Sequence, residues 1–496
     1  MIVINREGLK YCFIGDRDDV RVLKDSLEFL HPERHEMSSY VSGKWDGVLK
    51  FHREGYFGHG LLPIVLATLK EKDIEYELVR HYKNLPKFKF SKPFLPTERA
   101  YQRKAIKAFL KFGWGIIKIP TRGGKTFVAS EIMRILIENT PNFKVLFITE
   151  SSDIYKQNPS EIVNFLGLKE YGEIRASKIQ LDKQVTFAMM QTLQSKLKIS
   201  TDKKKRKLRT ELSKFLKNVG LVVIDEIHEF CSSSRIKVIK RLKPDYFLTL
   251  SATPVKKSQY FKWLDLQSHI GEIVYEIPEQ TLVENGVLSD NKVAFFKIEN
   301  PASKYKYPAY RPHLKRLIYH NKIRNNAILS VVKACKQLQL KFLVMCWSKT
   351  HANILSKLLC VDALTGDEKT SVREDMKKEF LSNPNGGMVV TEIWKKGITL
   401  PNVEVFINAS GGKEETGILQ KRGRVLGATK SKSKSIVFDF IDFDEHYFSK
   451  HSLARLEAYE NQVGKDKIDC LNISLQIDAE LVKYLQNWFN EKSNTS

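Results

Sequence analysis

The chain has 496 residues, of which 28% are charged, and a formal net charge of +25 at pH 7. That length allows roughly two to four domains, each with its own core, and the positive excess points to a polyanionic partner. No stretch approaches the ~20 apolar residues that a membrane-spanning helix needs, and the N-terminal Met1–Glu7 carries no signal pattern. The six cysteines stand singly, without a Cys-x-x-Cys pair, which argues against zinc and disulfide frameworks and for a reducing cytoplasm.

Residues 1–92 read as a small α+β unit, with strand-like runs at Met1–Asn5, Leu9–Ile14 and Gly47–His52 and a helix-like Arg21–Phe29. Pro86, Pro93 and Pro96 then mark a basic, extended linker.

From 93 to 295 strands and helices alternate, the pattern of a parallel sheet with crossover helices. Tyr101 and Gln102 open an amphipathic helix, where a Gln amide can pair with the edge of an adenine and a Tyr ring can stack near it. The apolar run Gly115–Ile119 leads into Pro120-Thr121-Arg122-Gly123-Gly124-Lys125-Thr126, and a helical pattern follows. Such a loop turns backbone N–H groups and a helix N-terminus toward phosphate oxygens. Lys125 would reach the terminal phosphates and Thr126 would hold Mg²⁺. Val145–Thr149, Val185–Ala188, Leu221–Ile224 and Phe247–Leu250 read as buried strands. Hydroxyls and amides after the first two, in Thr149–Asp153 and Met190–Leu193, suit phosphate-backbone contacts or ordinary capping. Lys203–Arg209 is either a mobile charged loop or a DNA contact. After Ile224 come Asp225 and Glu226: the first can hold Mg²⁺ and the second can orient the attacking water. Ser251–Pro254 follows the next strand.

A second alternating block covers 296–447, with strands at Phe342–Cys346, Gly387–Thr391, Val403–Asn408 and Ser435–Phe440. It ends a strand in Thr391–Thr399 and carries Gln420-Lys421-Arg422-Gly423-Arg424, whose Gln and arginines can clamp charge developing on a γ-phosphate. With one nucleotide loop for two blocks, an ATP site in a cleft between them is expected. Residues 448–496 read as a charged helical tail.

Taken together, these segments resemble the motif series of superfamily 2 helicases over roughly residues 95–445. Gln102 matches the Q motif, Pro120–Thr126 motif I, Asp225–His228 a DEAH-like motif II and Ser251–Thr253 motif III. Thr391–Thr399 matches motif V and Gln420–Arg424 motif VI. Tyr40–Lys50, Gly60–Pro63, Asn321–Asn325 and His451–Tyr459 further resemble the UvsW-type phage DNA helicases. The resemblance implies an α/β fold of two RecA-like parallel-sheet domains (93–295 and 296–447), a small N-terminal DNA-binding α+β domain (1–92) and a helical C-terminal tail (448–496). It implies ATP and Mg²⁺ as cofactors, branched double-stranded DNA and single-stranded DNA as partners, a monomer, and branch migration as the activity. Lys125, Asp225, Glu226, Gln420 and Arg424 would be catalytic. Tyr101, Gln102, Pro120–Thr126, Arg422 and Arg424 would bind nucleotide, and Thr126 and Asp225 the metal.

The sequence departs from the family pattern at four positions. Ile119 stands where a strict loop begins with Gly, Arg122 where a small residue is usual, and Thr399 where many relatives have Asp. Gly427 stands where motif VI usually closes with a further Arg. The alternatives are an RNA helicase, or a weakly hydrolysing DNA clamp on account of Gly427.

Overall fold

A computed structural model describes residues 1–7, 10–79, 87–90, 99–150, 152–252, 259–300, 309–391, 400, 402–412, 417, 422–423, 427–429, 432–443, 447–474 and 476–491. The chain divides into two compact units. The first comprises Met1–Ile119 and Gly124–Glu276; the second comprises Pro120–Gly123 and Ile277–Ser496.

Among its described residues the first unit holds two main sheets and one two-stranded pair. In the smaller, β1 (Ile2–Glu7) and β2 (Lys10–Ile14) form a hairpin, joined by the pair His52–Arg53, β3 (Tyr56–Gly58) and β4 (Tyr76–Val79). Helix α1 (Arg17–Ser26) starts where the Asp16 carboxylate accepts the Asp18 and Asp19 N–H groups. It begins earlier than the expected Arg21 and stops before Phe29, because Glu28–Leu30 pairs as a strand with Val48–Lys50. Helix α2 (Leu62–Glu71) has a proline in its first turn, where a missing N–H costs nothing.

The larger sheet is built from β5 (Trp114–Lys118), β6 (Val145–Thr149), β7 (Gly172–Arg175), β8 (Val185–Met189), β9 (Leu221–Ile224), β10 (Tyr246–Ser251) and β11 (Ile273–Glu276). Its order is Lys178–Ile179, β7, β8, β6, β9, β10, β5, β11, and every pairing except that of Lys178–Ile179 is parallel. Strands β6 and β9 are buried along their whole length, as unbroken apolar runs covered on both faces should be. Its helices include α3 (Ala100–Phe112), α4 (Lys125–Asn139), α5 (Met190–Lys196), α6 (Lys203–Lys217), α7 (Ser233–Ile239) and α8 (Tyr260–Ile270).

The basic run at 203–209 is therefore helix rather than loop. Asp202 caps it through the Lys205 N–H, and Leu212, Phe215 and Leu216 anchor its apolar side. Helix α8 also serves the small sheet, since Leu264 is buried with Ile4, Leu23 and Leu62. At Gly60 an added Cβ would stand 2.0 Å from the Gln267 carbonyl oxygen, so only glycine permits this approach.

The second unit is one parallel sheet of β12 (Asp290–Glu299), β13 (Phe342–Cys346), β14 (Ala363–Leu364), β15 (Gly387–Thr391), β16 (Val405–Asn408), β17 (Lys434–Phe443) and β18 (Ile468–Leu471). The order is β14-β15-β13-β16-β17-β12-β18. The tail is not only helical: between α10 (Phe448–Val463) and α11 (Ile477–Asn490), β18 joins the sheet edge in parallel with β12. Leu481, Leu485 and Trp488 of α11 enter the core beside α9 (Lys322–Gln337). Four cysteines (Cys12, Cys231, Cys335, Cys346) are buried, and Cys360 and Cys470 are exposed. Among the described residues no helix is long and apolar enough to cross a membrane.

Candidate nucleotide and nucleic-acid site

In the first unit, Lys125 begins α4 directly after β5 and the loop, and Asp225 and Glu226 follow β9. Lys125 Nζ donates to Glu226 Oε1 at 2.9 Å, with the two side chains 12% and 17% exposed. Glu226 has φ 52°, a left-handed conformation that costs a non-glycine residue on the order of 1 kcal/mol. Its Oε2 is buried without a hydrogen-bond partner and lies 3.4 Å from His228 Nδ1. Burial pushes the Glu226 carboxyl up, but Lys125, His228 and the Ala252 N–H outweigh it and hold the group below the usual range. The neighbouring Asp225 carboxyl is raised, by burial first and then by the Glu226 charge. Asp225 Oδ1 accepts the Glu226 N–H at 3.0 Å.

Gln102 is buried against the loop: a Cβ on Gly124, which has φ 86°, would come within 2.2 Å of Gln102 Nε2. Tyr101 is also buried, and its hydroxyl accepts from Arg99 Nη1 at 3.2 Å. The Ile119 N–H donates to the Ser251 carbonyl at 3.1 Å, tying the loop's entry to the end of β10. The structure thus brings Gln102, Gly124, Lys125, Asp225 and Glu226 to one side of the sheet, at the carboxyl ends of its strands. The Thr126 hydroxyl and the Asp225 carboxylate are hard oxygen donors of the kind Mg²⁺ takes, so the residues present fit that ion.

The strand-end segments at 149–153 and 190–193 are tied together by Glu150. It accepts from Gln191 Nε2 at 3.2 Å and pairs with Arg235 of α7. Thr192 Oγ1 accepts the Ala176 N–H at 3.1 Å, a structural bond within the unit. Beside them lies an open groove of about 580 Å³ that includes Gln191, Gln194, Lys198, Lys237 and Arg241. Of the groove's cations, Lys237 stands on α7 (Ser233–Ile239) and Arg241 two residues beyond its end, and neither carries a motif that marks it in the sequence.

In the second unit Arg422 points inward. It is fully buried, donating to Glu279 Oε2 at 2.5 Å and to Asn291 Oδ1 at 3.0 Å. Pro120–Gly123 pack in this same unit. Thr121 faces Gly423, where an added Cβ would lie 2.9 Å from Thr121 Cβ, and Arg122 faces Gly427. Gln420, Arg424, Thr253 and residues 392–399 lie outside the described residues.

The family described as type III restriction enzyme, res subunit, matches residues 96–256, and the helicase conserved C-terminal domain matches residues 323–428. The chain is 22% identical over 396 residues to the ATP-dependent DNA helicase uvsW of Enterobacteria phage T4, covering 73% of this chain and 75% of that protein. It is also 22% identical over 407 residues to a protein of Acanthamoeba polyphaga mimivirus described as an ATP-dependent RNA helicase, covering 80% and 72%. Among solved structures, a fragment described as an HsdR subunit of a type I restriction enzyme from Vibrio vulnificus shares the fold, with a TM-score of 0.56 at 16% identity over 77% of this chain and 70% of that one. With both halves of the helicase core matched in order on two parallel-sheet units, the chain belongs to the superfamily 2 helicases and resembles UvsW.

Proposed function

We propose that this ATP-dependent helicase is a DNA motor that acts on branched DNA: it reverses forks, migrates Holliday junctions and unwinds duplexes in replication, recombination and repair. The observation that carries the ATP chemistry is the Lys125–Glu226 pair at 2.9 Å on adjoining ends of a parallel sheet. The Lys125 ammonium neutralises the terminal phosphates once they displace Glu226 from it. The released Glu226 carboxylate, still beside His228, accepts a hydrogen bond from the attacking water and aligns it. Bound Mg²⁺, held by Thr126 and Asp225, would neutralise phosphate charge. Gln102, fixed on Gly124, reads the base, and Tyr101 shapes the same side of the loop. Pro120, Thr121, Arg122 and Gly123 complete the loop around the phosphates. Arg424 and Gln420 stabilise the charge on the transferring phosphoryl group, and Arg422 holds their segment through Glu279 and Asn291.

DNA as the polymer is supported by the +25 charge, the groove with Lys198, Lys237 and Arg241, and the likeness to the phage DNA helicase. Phosphate-backbone contacts of this kind bind without reading sequence, so the preference for branches falls to shape, read by residues 1–92. We further propose that the motor works as a monomer in the cytoplasm, or in the host cytoplasm if phage-encoded, with domains at 1–92, 93–295, 296–447 and 448–496.

The test is ATP hydrolysis measured with forked, Holliday, linear and single-stranded DNA and with single-stranded RNA. Stimulation that is greatest on forks and junctions is expected. Stimulation by RNA alone would overturn the DNA reading in favour of an RNA helicase, the reading that the mimivirus relative keeps in play.

A further inference from the structure

The second unit contains a close fit that the motif comparison treats as two unrelated departures. Arg122 stands in the nucleotide loop with φ 71°, a left-handed conformation that strains a non-glycine residue. Its side chain runs over Gly427. A Cβ placed on Gly427 would lie 1.4 Å from Arg122 Nη1, 2.6 Å from Cζ and 3.2 Å from Cδ, so the guanidinium occupies the space of a 427 side chain.

The backbone there has little freedom to yield. Gly427 bridges Leu288, the Ala428 N–H donates to the Val287 carbonyl, and Thr429 and Lys432 exchange backbone hydrogen bonds. One residue earlier in the loop, Thr121 sits on Gly423 in the same manner. Two consecutive loop residues therefore rest on two glycines four positions apart.

The surroundings include a second cation. Lys432 is buried nearby, and its ammonium is pulled down to about 7 by burial and then by the Arg122 charge, against the opposing pull of Glu404. Burial alone takes the Arg122 guanidinium down to about 10.

We propose that Arg122 and Gly427 are a matched pair: the loop arginine takes the place of a side chain at 427, and it is the cation this chain brings to the nucleotide phosphates from that place. Gly427 is then a socket rather than a missing part. Replacing it by arginine, which would restore the usual family spelling, should harm the protein.

A cycle of Gly427→Arg, Arg122→Gly and the double variant tests the pair, with Arg122→Gln to separate charge from bulk. ATP turnover on forked DNA and thermal melting are both measured. Gly427→Arg should lower turnover at least about tenfold and lower the melting temperature. Arg122→Gly should also lower turnover at least about tenfold. The double variant should recover most of both losses, since coupling of this kind marks residues in contact. Arg122→Gln should lower kcat about tenfold with melting unchanged.

The turnover arm rests on the reading of the chain as an ATP-driven motor; the melting arm does not. A wild-type chain that hydrolyses no ATP on any nucleic acid would defeat that reading, while the melting cycle would still decide the fit. Additive effects in the double variant, or a Gly427→Arg protein as active and stable as wild type, would overturn the pair. Full turnover in Arg122→Gln would overturn the assignment of charge.

Discussion

At the strand ends of the eight-stranded sheet, charged residues stay within reach of solvent. Lys125 and Glu226 face each other 12% and 17% exposed, and Glu226 is held in a strained backbone conformation. In the seven-stranded sheet the comparable charges are sealed in. Arg455 and Asp439 pair at 3.0 Å with 1% and 0% exposure, and Arg324 and Asp442 pair with neither exposed, the Arg324 guanidinium lying over the Phe440 ring. Both arrangements look alike as a census of ion pairs. They differ in what can reach them: the first pair can exchange a partner for a ligand, whereas the second pairs can exchange theirs only by unfolding.

Substitution at the open pair should give the largest effect on function and little on stability. Lys125→Ala and Glu226→Gln should each reduce ATP turnover on the order of 10²–10³-fold or more. Salt-sensitive DNA binding should survive, because the polymer is held by other cations. Strand separation retained by either variant would contradict the assigned roles.

The sealed pairs should behave in reverse. Asp439→Ala strands Arg455 in the core and should cost about 3–5 kcal/mol in denaturant unfolding. If Asp439→Ala were no more destabilising than Lys125→Ala, the contrast between the two sheets would collapse.

An effect graded with pH should be shared by both units. His59 in the first and His351 in the second are pulled down to about 3. Burial is the main cause in each, reinforced by Arg6 and then His269 for the former, and by Arg324 and then His320 for the latter. The unfolded chain takes up these protons below about pH 6.5 and the folded chain does not. Stability is therefore unaffected above that pH and should fall by roughly 1.4 kcal/mol per pH unit for each histidine between about pH 6.5 and pH 3. Urea midpoints measured from pH 7 to pH 4 check this, with His59→Phe and His351→Phe each removing one share of the slope. An unchanged slope in both variants would mean that other groups set the acid limit.

The smallest effect is expected outside the two large sheets. The Trp45 segment is fixed by a bond from Trp45 Nε1 to the Val48 carbonyl at 3.0 Å and by edge contact with His31. Lys44→Ala with Lys50→Ala should lower the preference for forked over linear duplex a few-fold while leaving turnover on single strands intact. An unchanged ratio would place shape recognition elsewhere. Point changes suit this question better than deletion of residues 1–90, which would uncover Leu264.

The elements most readable in the sequence were those whose signal is local. Unbroken apolar runs such as Val145–Thr149 and Leu221–Ile224 have one stable use, as buried parallel strands. The nucleotide loop and the Asp225–Glu226 pair follow such runs directly. The features passed over depend on partners distant in the chain. Arg455 and Arg324 lie in segments that the resemblance marks, but only the fold sets Asp439 and Asp442 against them. Strand β18 is four residues of mixed character, Ile-Asp-Cys-Leu, and β12 alone gives it a reason to be extended. Arg122 and Gly427 were each visible as oddities, but only the fold makes them neighbours.

That late strand has a further consequence. β12 is ten residues long and mostly buried, and β18 covers its outer edge from Val293 to Phe296. A chain clipped before Ile468 would lose β18 and leave those backbone groups bare along an apolar template, the kind of edge onto which other chains add. Proteolysis near Gly464 should therefore show first as aggregation, before any loss of the nucleotide chemistry in the other unit.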